Sequence, residues 1–109
     1  MDKINTYGLN ERDMHTISDI LSKHSDVRNV LVFGSRAKGV YHCGSDIDLA
    51  IMDENISYQT LRNIQSDMSD SSLPYNVDLI NFSAITNQDL KEHILRVGKP
   101  IFPTLAQYL

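Results

Sequence analysis

Residues 28–33, Arg-Asn-Val-Leu-Val-Phe, end in a continuous apolar run that Gly34 closes. Such a run is typical of a central strand that is buried on both faces. After a loop, residues 46–52, Asp-Ile-Asp-Leu-Ala-Ile-Met, alternate between apolar and other side chains. Because successive side chains of a strand point to opposite faces, one face of this second strand is apolar and the other carries Asp46 and Asp48. The stretch therefore predicts two strands, the second of which has an acidic face.

Helical and strand patterns continue on both sides of this stretch. The sequence predicts helices over residues 10–24, 57–69 and 87–97, a third strand over residues 76–81 and a short loop-helix after Gly34. Asn10 is the expected N-cap of the first helix, and the last helix is expected to stop near Gly98 and Pro100. Residues 1–9 are polar and expected to be loose. The order of elements predicts a small α/β fold, with residues 1–109 forming a single domain.

Composition and charge exclude several classes of protein. The chain has 109 residues, 41% of them apolar and 22% charged, and its net charge is −4. No apolar run approaches the ~20 residues of a membrane-spanning helix, so we expect no membrane association. The N-terminus lacks a secretory signal, and the single cysteine, Cys43, forms no internal disulfide, so a cytoplasmic location is expected. The basic residues are scattered, which weighs against general nucleic-acid binding.

Three features that bear on chemistry coincide in this chain. Gly34 and Ser35 follow a buried strand, where the start of a helix offers free backbone N–H groups to an anion. Asp46 and Asp48 share one face of a strand, and Asp78 lies on the polar side of the third predicted strand. Oxygen ligands of this kind suit Mg²⁺, and a pair of such ions can hold the attacking and leaving oxygens of a displacement at phosphorus. The pattern predicts phosphoryl-group chemistry.

Other phosphate and metal motifs do not fit the same residues. Val40-Tyr41 stands where a Walker A loop needs Lys-Ser/Thr, and the chain has no Gly-x-Gly-x-x-Gly. The residues after Asp48 lack the glycine and distal glutamate of an EF-hand. Two pairs of residues have a structural interpretation as well as a functional one. Gly34 and Ser35 also suit a plain strand-to-helix turn with a capping serine. The nearby cations Arg36 and Lys38 suit a solvated loop as well as phosphate neutralisation.

The spacing of these residues resembles that of a known superfamily. Gly34-Ser35, then residues 36–45, then Asp46-Ile47-Asp48 are similar to the signature of the nucleotidyltransferase superfamily that includes DNA polymerase beta. Asp78, within Asn76-Val77-Asp78-Leu79-Ile80, matches the third carboxylate of that family. From about residue 9 to residue 102 the chain resembles the minimal nucleotidyltransferases, which are encoded beside HEPN-domain proteins and act as antitoxins.

The resemblance implies a fold, a reaction and a set of site residues. It implies a small mixed sheet with helices on one face and the active site on the other. The implied reaction transfers AMP from ATP to a tyrosine of a HEPN-type toxin, and two Mg²⁺ ions are expected to take part. Asp46, Asp48 and Asp78 would be the catalytic and metal-binding residues, with Asp78 helping to activate the acceptor. The expected nucleotide-binding residues are Gly34, Ser35, Arg36, Lys38 and Ser45, of which Ser45 is expected to orient the loop rather than act as a nucleophile.

Two other functions stay open on the sequence. In the first, the domain is a binding module that neutralises its partner by occluding the active site of a toxin that cuts RNA, since such a toxin presents a basic surface to this acidic chain. In the second, the acceptor is a small molecule such as an antibiotic, which needs an acceptor pocket that a chain of this length has little room to form. The larger relatives use an additional helical domain for that purpose.

Overall fold

Four α-helices, four β-strands and one short 3₁₀ helix are formed by residues 7–42 and 44–103, the part of the chain that the computed structural model describes. In chain order they are α1 (Glu11–Ser22), β1 (Val30–Phe33), α2 (Gly34–Lys38), β2 (Ile47–Ile51), α3 (Tyr58–Ser69), β3 (Val77–Asn81), the 3₁₀ helix (Phe82–Ala84), α4 (Gln88–Val97) and β4 (Lys99–Phe102). Within these ranges, none of the helices has the length and apolar character that a membrane-spanning segment requires.

The strands form one mixed sheet in the order β3-β2-β1-β4. Strand β1 is antiparallel to both β2 and β4, whereas β2 and β3 run parallel. This confirms the mixed sheet that the resemblance implied. Strand β4 is an addition to the predicted elements: it contains Pro100 and is bonded to β1 at the end of the sheet. Proline is tolerated there because an edge strand does not need every N–H group for pairing.

Side-chain caps explain where the three long helices begin. The Asn10 side chain accepts a hydrogen bond from Asp13 N at 2.8 Å, and Asp13 Oδ2 accepts one from Asn10 N at 3.2 Å, so α1 starts with a reciprocal capping box. Helix α3 is capped by Ser57 Oγ and α4 by Asn87 Oδ1. The predicted helices agree with the structure to within two residues at each end, because these caps are local signals.

The main hydrophobic core lies between one face of the sheet and the helices α1 and α3. Strand β2 contributes Ile47, Leu49 and Ile51, all of which are fully buried. The helices contribute fully or almost fully buried side chains to the same cluster: Met14, Ile17, Ile20, Leu21, Ile64 and Met68. Each large apolar side chain buried in this way stabilises the fold by about 1.5–3 kcal/mol. The buried apolar face of β2 therefore anchors this strand in the core.

A smaller apolar cluster lies on the opposite face of the sheet. There Ile94 of α4 packs with Phe33 of β1 and Ala50 of β2. Helix α4 therefore covers part of the face that also carries Asp48 and Asp78, and the helices are not confined to one side as the resemblance implied. The reason is that Phe33 and Ala50 are apolar, and the apolar face of the amphipathic helix α4 buries them. The two carboxylates beyond this cluster keep contact with solvent.

Candidate active site

The turn that joins β1 to α2 depends on a glycine in an unusual conformation. Helix α2 begins at Gly34, directly after β1, and Gly34 has a φ of +72°. A Cβ atom added at Gly34 would collide with Asp48 Oδ2 and would lie 3.2 Å from Asp48 Cγ. Glycine is favoured here both because it adopts positive φ without strain and because it lets the backbone approach the carboxylate. The Gly34 turn and Asp48 are thus in direct contact.

Two of the three predicted carboxylates are neighbours in the sheet. Asp48 of β2 is in register with Asp78 of β3, and Asp48 is also opposite Phe33 of β1. Adjacent parallel strands lie ~4.8 Å apart, and register partners point to the same face. Asp78 is exposed and Asp48 is half-buried. Asp46 lies one residue before β2 and is exposed, so it borders this pair from the end of the sheet.

The environment of Asp48 disfavours its ionised form. Burial raises the pKa of the Asp48 carboxyl above its usual value, and the negative charges of Asp78 and Asp46 raise it further. The positive charge of Arg36 acts in the opposite direction but does not cancel these effects on the pKa. A site that places two further negative charges beside a half-buried carboxyl is stabilised by a bound cation. The electrostatics therefore fit the binding of a positively charged ion.

The carboxylates fit Mg²⁺ in chemical type, although they do not by themselves form a complete metal-binding group among the described residues. Mg²⁺ is bound in proteins through one or two carboxylates together with substrate phosphates and water. Asp48 and Asp78 offer such a carboxylate pair on a rigid sheet. Within residues 7–42 and 44–103, no three His, Cys, Asp or Glu side chains are assembled as a complete metal-binding group. Metal binding by Asp46, Asp48 and Asp78 thus stays a prediction in which the nucleotide would supply the remaining oxygens.

Arg36 lies elsewhere than the sequence predicts. Its side chain is only 1% exposed, whereas Lys38, two residues on, is exposed. Its guanidinium donates to backbone carbonyl oxygens, among them Ser45 O at 2.8 Å, rather than facing solvent. Neither of the two alternatives, a solvated loop or phosphate neutralisation, describes this residue. Residues of a helix two positions apart point in different directions, so Arg36 and Lys38 separate into an interior and a surface cation.

The remaining predicted residues lie in the turn and in the loop after it. Ser35 is partly exposed, and its carbonyl accepts a hydrogen bond from Val40 N at 3.1 Å. Ser45 Oγ accepts a hydrogen bond from His42 N at 2.8 Å, and Ser45 N donates to His42 O at 3.1 Å. Ser45 therefore holds the loop closed just before Asp46, which agrees with the expectation that it orients the loop. Contact of Ser35, Lys38 and Ser45 with a nucleotide stays a prediction.

Two aromatic residues of this region are absent from the predicted set. Tyr41 and Tyr75 lie on the guanidinium of Arg36, with 5.2 Å and 4.4 Å between Arg36 Cζ and the two ring centroids. Tyr75 precedes β3 and is far from Arg36 in sequence, so no local pattern pairs them. The nearest signal is that Tyr41 and Tyr75 each stand a few residues before a predicted site carboxylate.

Comparison with known proteins identifies relatives of the chain. Residues 15–105 match the model of a family described as polymerase beta, nucleotidyltransferase. A probable protein adenylyltransferase MntA from Haemophilus influenzae is 32% identical over 90 residues, which cover 82% of this chain and 78% of the relative.

Solved structures share the fold at lower identity. A toxin–antitoxin crystal structure with AMP-PNP contains a chain that matches with a TM-score of 0.69 and 22% identity, covering 87% of this chain and 77% of that one. A complex of tri-AMPylated Shewanella oneidensis HEPN toxin with MNT antitoxin matches with a TM-score of 0.61 and 19% identity, covering 82% of this chain and 68% of that one. The family match spans most of the chain and includes the Gly34 turn and all three carboxylates. The chain therefore belongs to the polymerase beta nucleotidyltransferase family.

Proposed function

We propose that this protein transfers AMP from ATP to a tyrosine hydroxyl of a HEPN-type toxin and so acts as its antitoxin. The observation that carries the proposal is the register of Asp48 with Asp78 beside the Gly34 turn, since it places two carboxylates where a strand ends and a helix begins. The kinship with a probable protein adenylyltransferase supports AMP as the transferred group. The likeness to antitoxins in complex with HEPN toxins supports the choice of partner.

The reaction is a displacement at the α-phosphorus of ATP. The tyrosine oxygen of the partner forms a bond to that phosphorus, the bond to the bridging oxygen breaks, and pyrophosphate leaves. Asp78, which is exposed beside Asp48, would take up the hydroxyl proton. The Gly34–Ser35 turn and Lys38 would hold the β- and γ-phosphates, since the turn brings the backbone close to Asp48 without a side chain in between. Mg²⁺ bound by Asp46, Asp48 and Asp78 would supply charge stabilisation for the transferred group.

The direct test measures the mass of the partner. The chain is co-expressed with a HEPN-domain toxin, and this partner is then analysed by intact-mass spectrometry and peptide mapping. We expect a mass gain of one or more AMP groups on a tyrosine, and no gain with Asp46→Asn/Asp48→Asn. An unchanged partner mass in the presence of ATP and Mg²⁺ would rule out the transferase proposal.

Occlusion of the toxin is the competing function, and the net charge of −4 favours it because an RNA-cutting partner presents a basic surface. The same double variant separates the two in a growth-rescue assay. If catalysis neutralises the toxin, Asp46→Asn/Asp48→Asn fails to rescue growth while still binding the partner in a pull-down. Full rescue by the variant would favour occlusion instead.

A further inference from the structure

Arg36 is a buried cation whose hydrogen bonds all go to the backbone of other segments. Its Nε and Nη2 atoms both donate to Ser45 O, at 3.2 and 2.8 Å. Its Nη1 atom donates to Tyr7 O at 2.8 Å and to Gly8 O at 3.5 Å. A buried charge is costly unless it is hydrogen-bonded, and here the carbonyl oxygens provide that compensation. One side chain of α2 thus ties together two segments that are distant in sequence.

Two tyrosine rings lie against the Arg36 guanidinium. Arg36 Cζ lies 4.4 Å from the ring centroid of Tyr75 and 5.2 Å from that of Tyr41, distances at which the cation is attracted to the ring. The packing leaves no spare room: a Cβ atom added at Gly8 would lie 2.7 Å from Tyr41 Cζ and 2.8 Å from Arg36 Nη1. The guanidinium is therefore fixed in orientation as well as in position.

Two of the segments that Arg36 contacts lead into proposed metal ligands. Ser45, which accepts two of its hydrogen bonds, immediately precedes Asp46. Tyr75, which stacks on it, lies three residues before Asp78, and the next residue, Asn76, accepts a hydrogen bond from Ile47 N at 2.9 Å. The starts of β2 and β3 are thus joined to each other and to one arginine.

We propose that Arg36 is a positioning residue of the active site, which fixes Asp46 through the Ser45 carbonyl and Asp78 through Tyr75. This inference rests on the proposed function to the extent that it takes Asp46 and Asp78 as metal ligands. Arg36 touches neither the metal nor the nucleotide in this role. It sets the distance between two carboxylates that the sheet register alone does not fix, because Asp46 lies outside β2.

The role requires arginine rather than a generic positive charge. A lysine ammonium keeps the charge but cannot donate to one carbonyl from two nitrogen atoms in a plane, nor stack flat against a tyrosine ring. Arg36→Lys therefore removes the positioning while leaving the electrostatic field nearly unchanged. Tyr75→Leu removes one stacking face and leaves the hydrogen bonds to Ser45 O in place.

The test measures cation binding rather than turnover. Purified wild type and variants are titrated with Mn²⁺ in the presence of ATP and without the partner, and free Mn²⁺ is counted by electron paramagnetic resonance. Loss of a group that orients metal ligands lowers metal affinity 10- to 100-fold. Because Arg36 acts through the backbone, we expect the lower end: about a tenfold higher Kd for Arg36→Lys and about threefold for Tyr75→Leu. Circular dichroism confirms that each variant is folded at the temperature used.

Arg62→Lys is the matched control, since Arg62 also lies against a tyrosine, with 5.8 Å from its Cζ to the ring centroid of Tyr58, but Tyr58 is 73% exposed. We expect its Mn²⁺ affinity to equal that of the wild type. Unchanged affinity in folded Arg36→Lys overturns the inference, as does an equal loss in Arg62→Lys. If Arg36→Lys does not fold, Tyr75→Leu decides: unchanged affinity there overturns the inference.

The outcome also separates this inference from the proposed function. If the wild type binds Mn²⁺ with ATP, Arg36→Lys binds it weakly and no AMP reaches the partner, Arg36 keeps its role and the transferase proposal fails. If AMP transfer occurs while Arg36→Lys binds Mn²⁺ like the wild type, the transferase proposal stands and the role of Arg36 fails. A wild type that binds no Mn²⁺ contradicts both.

Discussion

The two faces of β2 show how one strand serves stability and chemistry at the same time. On one face, Ile47, Leu49 and Ile51 are fully buried under α1 and α3. On the other, Asp48 is half-buried, contacts the Gly34 turn and is in register with Asp78. The apolar face is satisfied by packing alone, whereas the acidic face keeps a carboxyl whose ionised form the fold disfavours. Burial of one face of β2 therefore holds the unfavourable charges of the other face in place.

Removing the carboxylate of the acidic face is expected to have the largest effect. Asp48→Asn should lower AMP transfer at least about 10³-fold, because a proposed metal ligand is lost and the remaining donors no longer stabilise the transferred group. The measurement is the initial rate of AMP incorporation into the partner. A loss below about tenfold would contradict a role for Asp48 in binding the metal.

Asp53→Asn is the matched control for that variant. Asp53 lies beyond the other end of β2, and its Oδ2 accepts hydrogen bonds from Arg28 N at 2.8 Å and Asn29 N at 2.9 Å. Its replacement should cost about 1 kcal/mol of stability, since charge-assisted hydrogen bonds are weakened. The rate of AMP transfer by the folded variant should stay within about twofold of the wild type.

A cavity on the apolar face should act on stability and not on chemistry. Leu49→Ala is expected to lower the free energy of unfolding by about 3 kcal/mol, since it removes a fully buried leucine side chain from the main core. Urea denaturation measures the loss. At low temperature, where the variant is folded, the rate of AMP transfer per folded molecule should be close to that of the wild type. A selective loss of rate would show that the two faces are coupled more closely than their contacts indicate.

The contact between the Gly34 turn and Asp48 can be tested by two glycines with the same backbone conformation. Gly34 has a φ of +72° and its added Cβ meets Asp48, whereas Gly39 has a φ of +77° and its added Cβ meets nothing within 4 Å. Both alanine variants carry the backbone strain of about 1 kcal/mol. Gly34→Ala should in addition lower AMP transfer by about 10²-fold, because it displaces the carboxylate. Equal rates for the two variants would exclude a steric role for Gly34.

The smallest expected effect is the pH dependence of stability that Asp48 causes. Its pKa is raised in the folded state by burial and by Asp78 and Asp46, so folding favours the protonated form. The wild type should therefore lose stability relative to Asp48→Asn as pH rises through the folded pKa, and the difference should vanish in acid, below the unfolded pKa. In metal-free buffer near pH 7, the Tm measured by thermal denaturation should be higher for Asp48→Asn than for the wild type. A higher Tm for the wild type would contradict this.

Several elements were predictable because their signals are local. The caps Asn10, Ser57 and Asn87 and the alternation in β2 are each set by a few neighbouring residues, and the corresponding elements agree with the structure. Strand β4 was not predictable in this way. It has four residues, one of them Pro100, and it exists because β1 offers an unpaired edge. Whether so short a strand forms depends on a neighbouring strand that can pair with it rather than on the intrinsic β-propensity of its residues.

The family and most residues of the candidate site can be read from the chain without a structure, because the Gly34-Ser35 turn and the spacing to Asp46 and Asp48 are properties of one continuous stretch. Three features became visible only in the folded chain: Asp48 is in register with Asp78, α4 packs on the same face of the sheet, and the Arg36 side chain is buried. Each of these depends on contacts between residues that are far apart in the chain. Periodicity records which side chains need burial, but only packing determines what buries them.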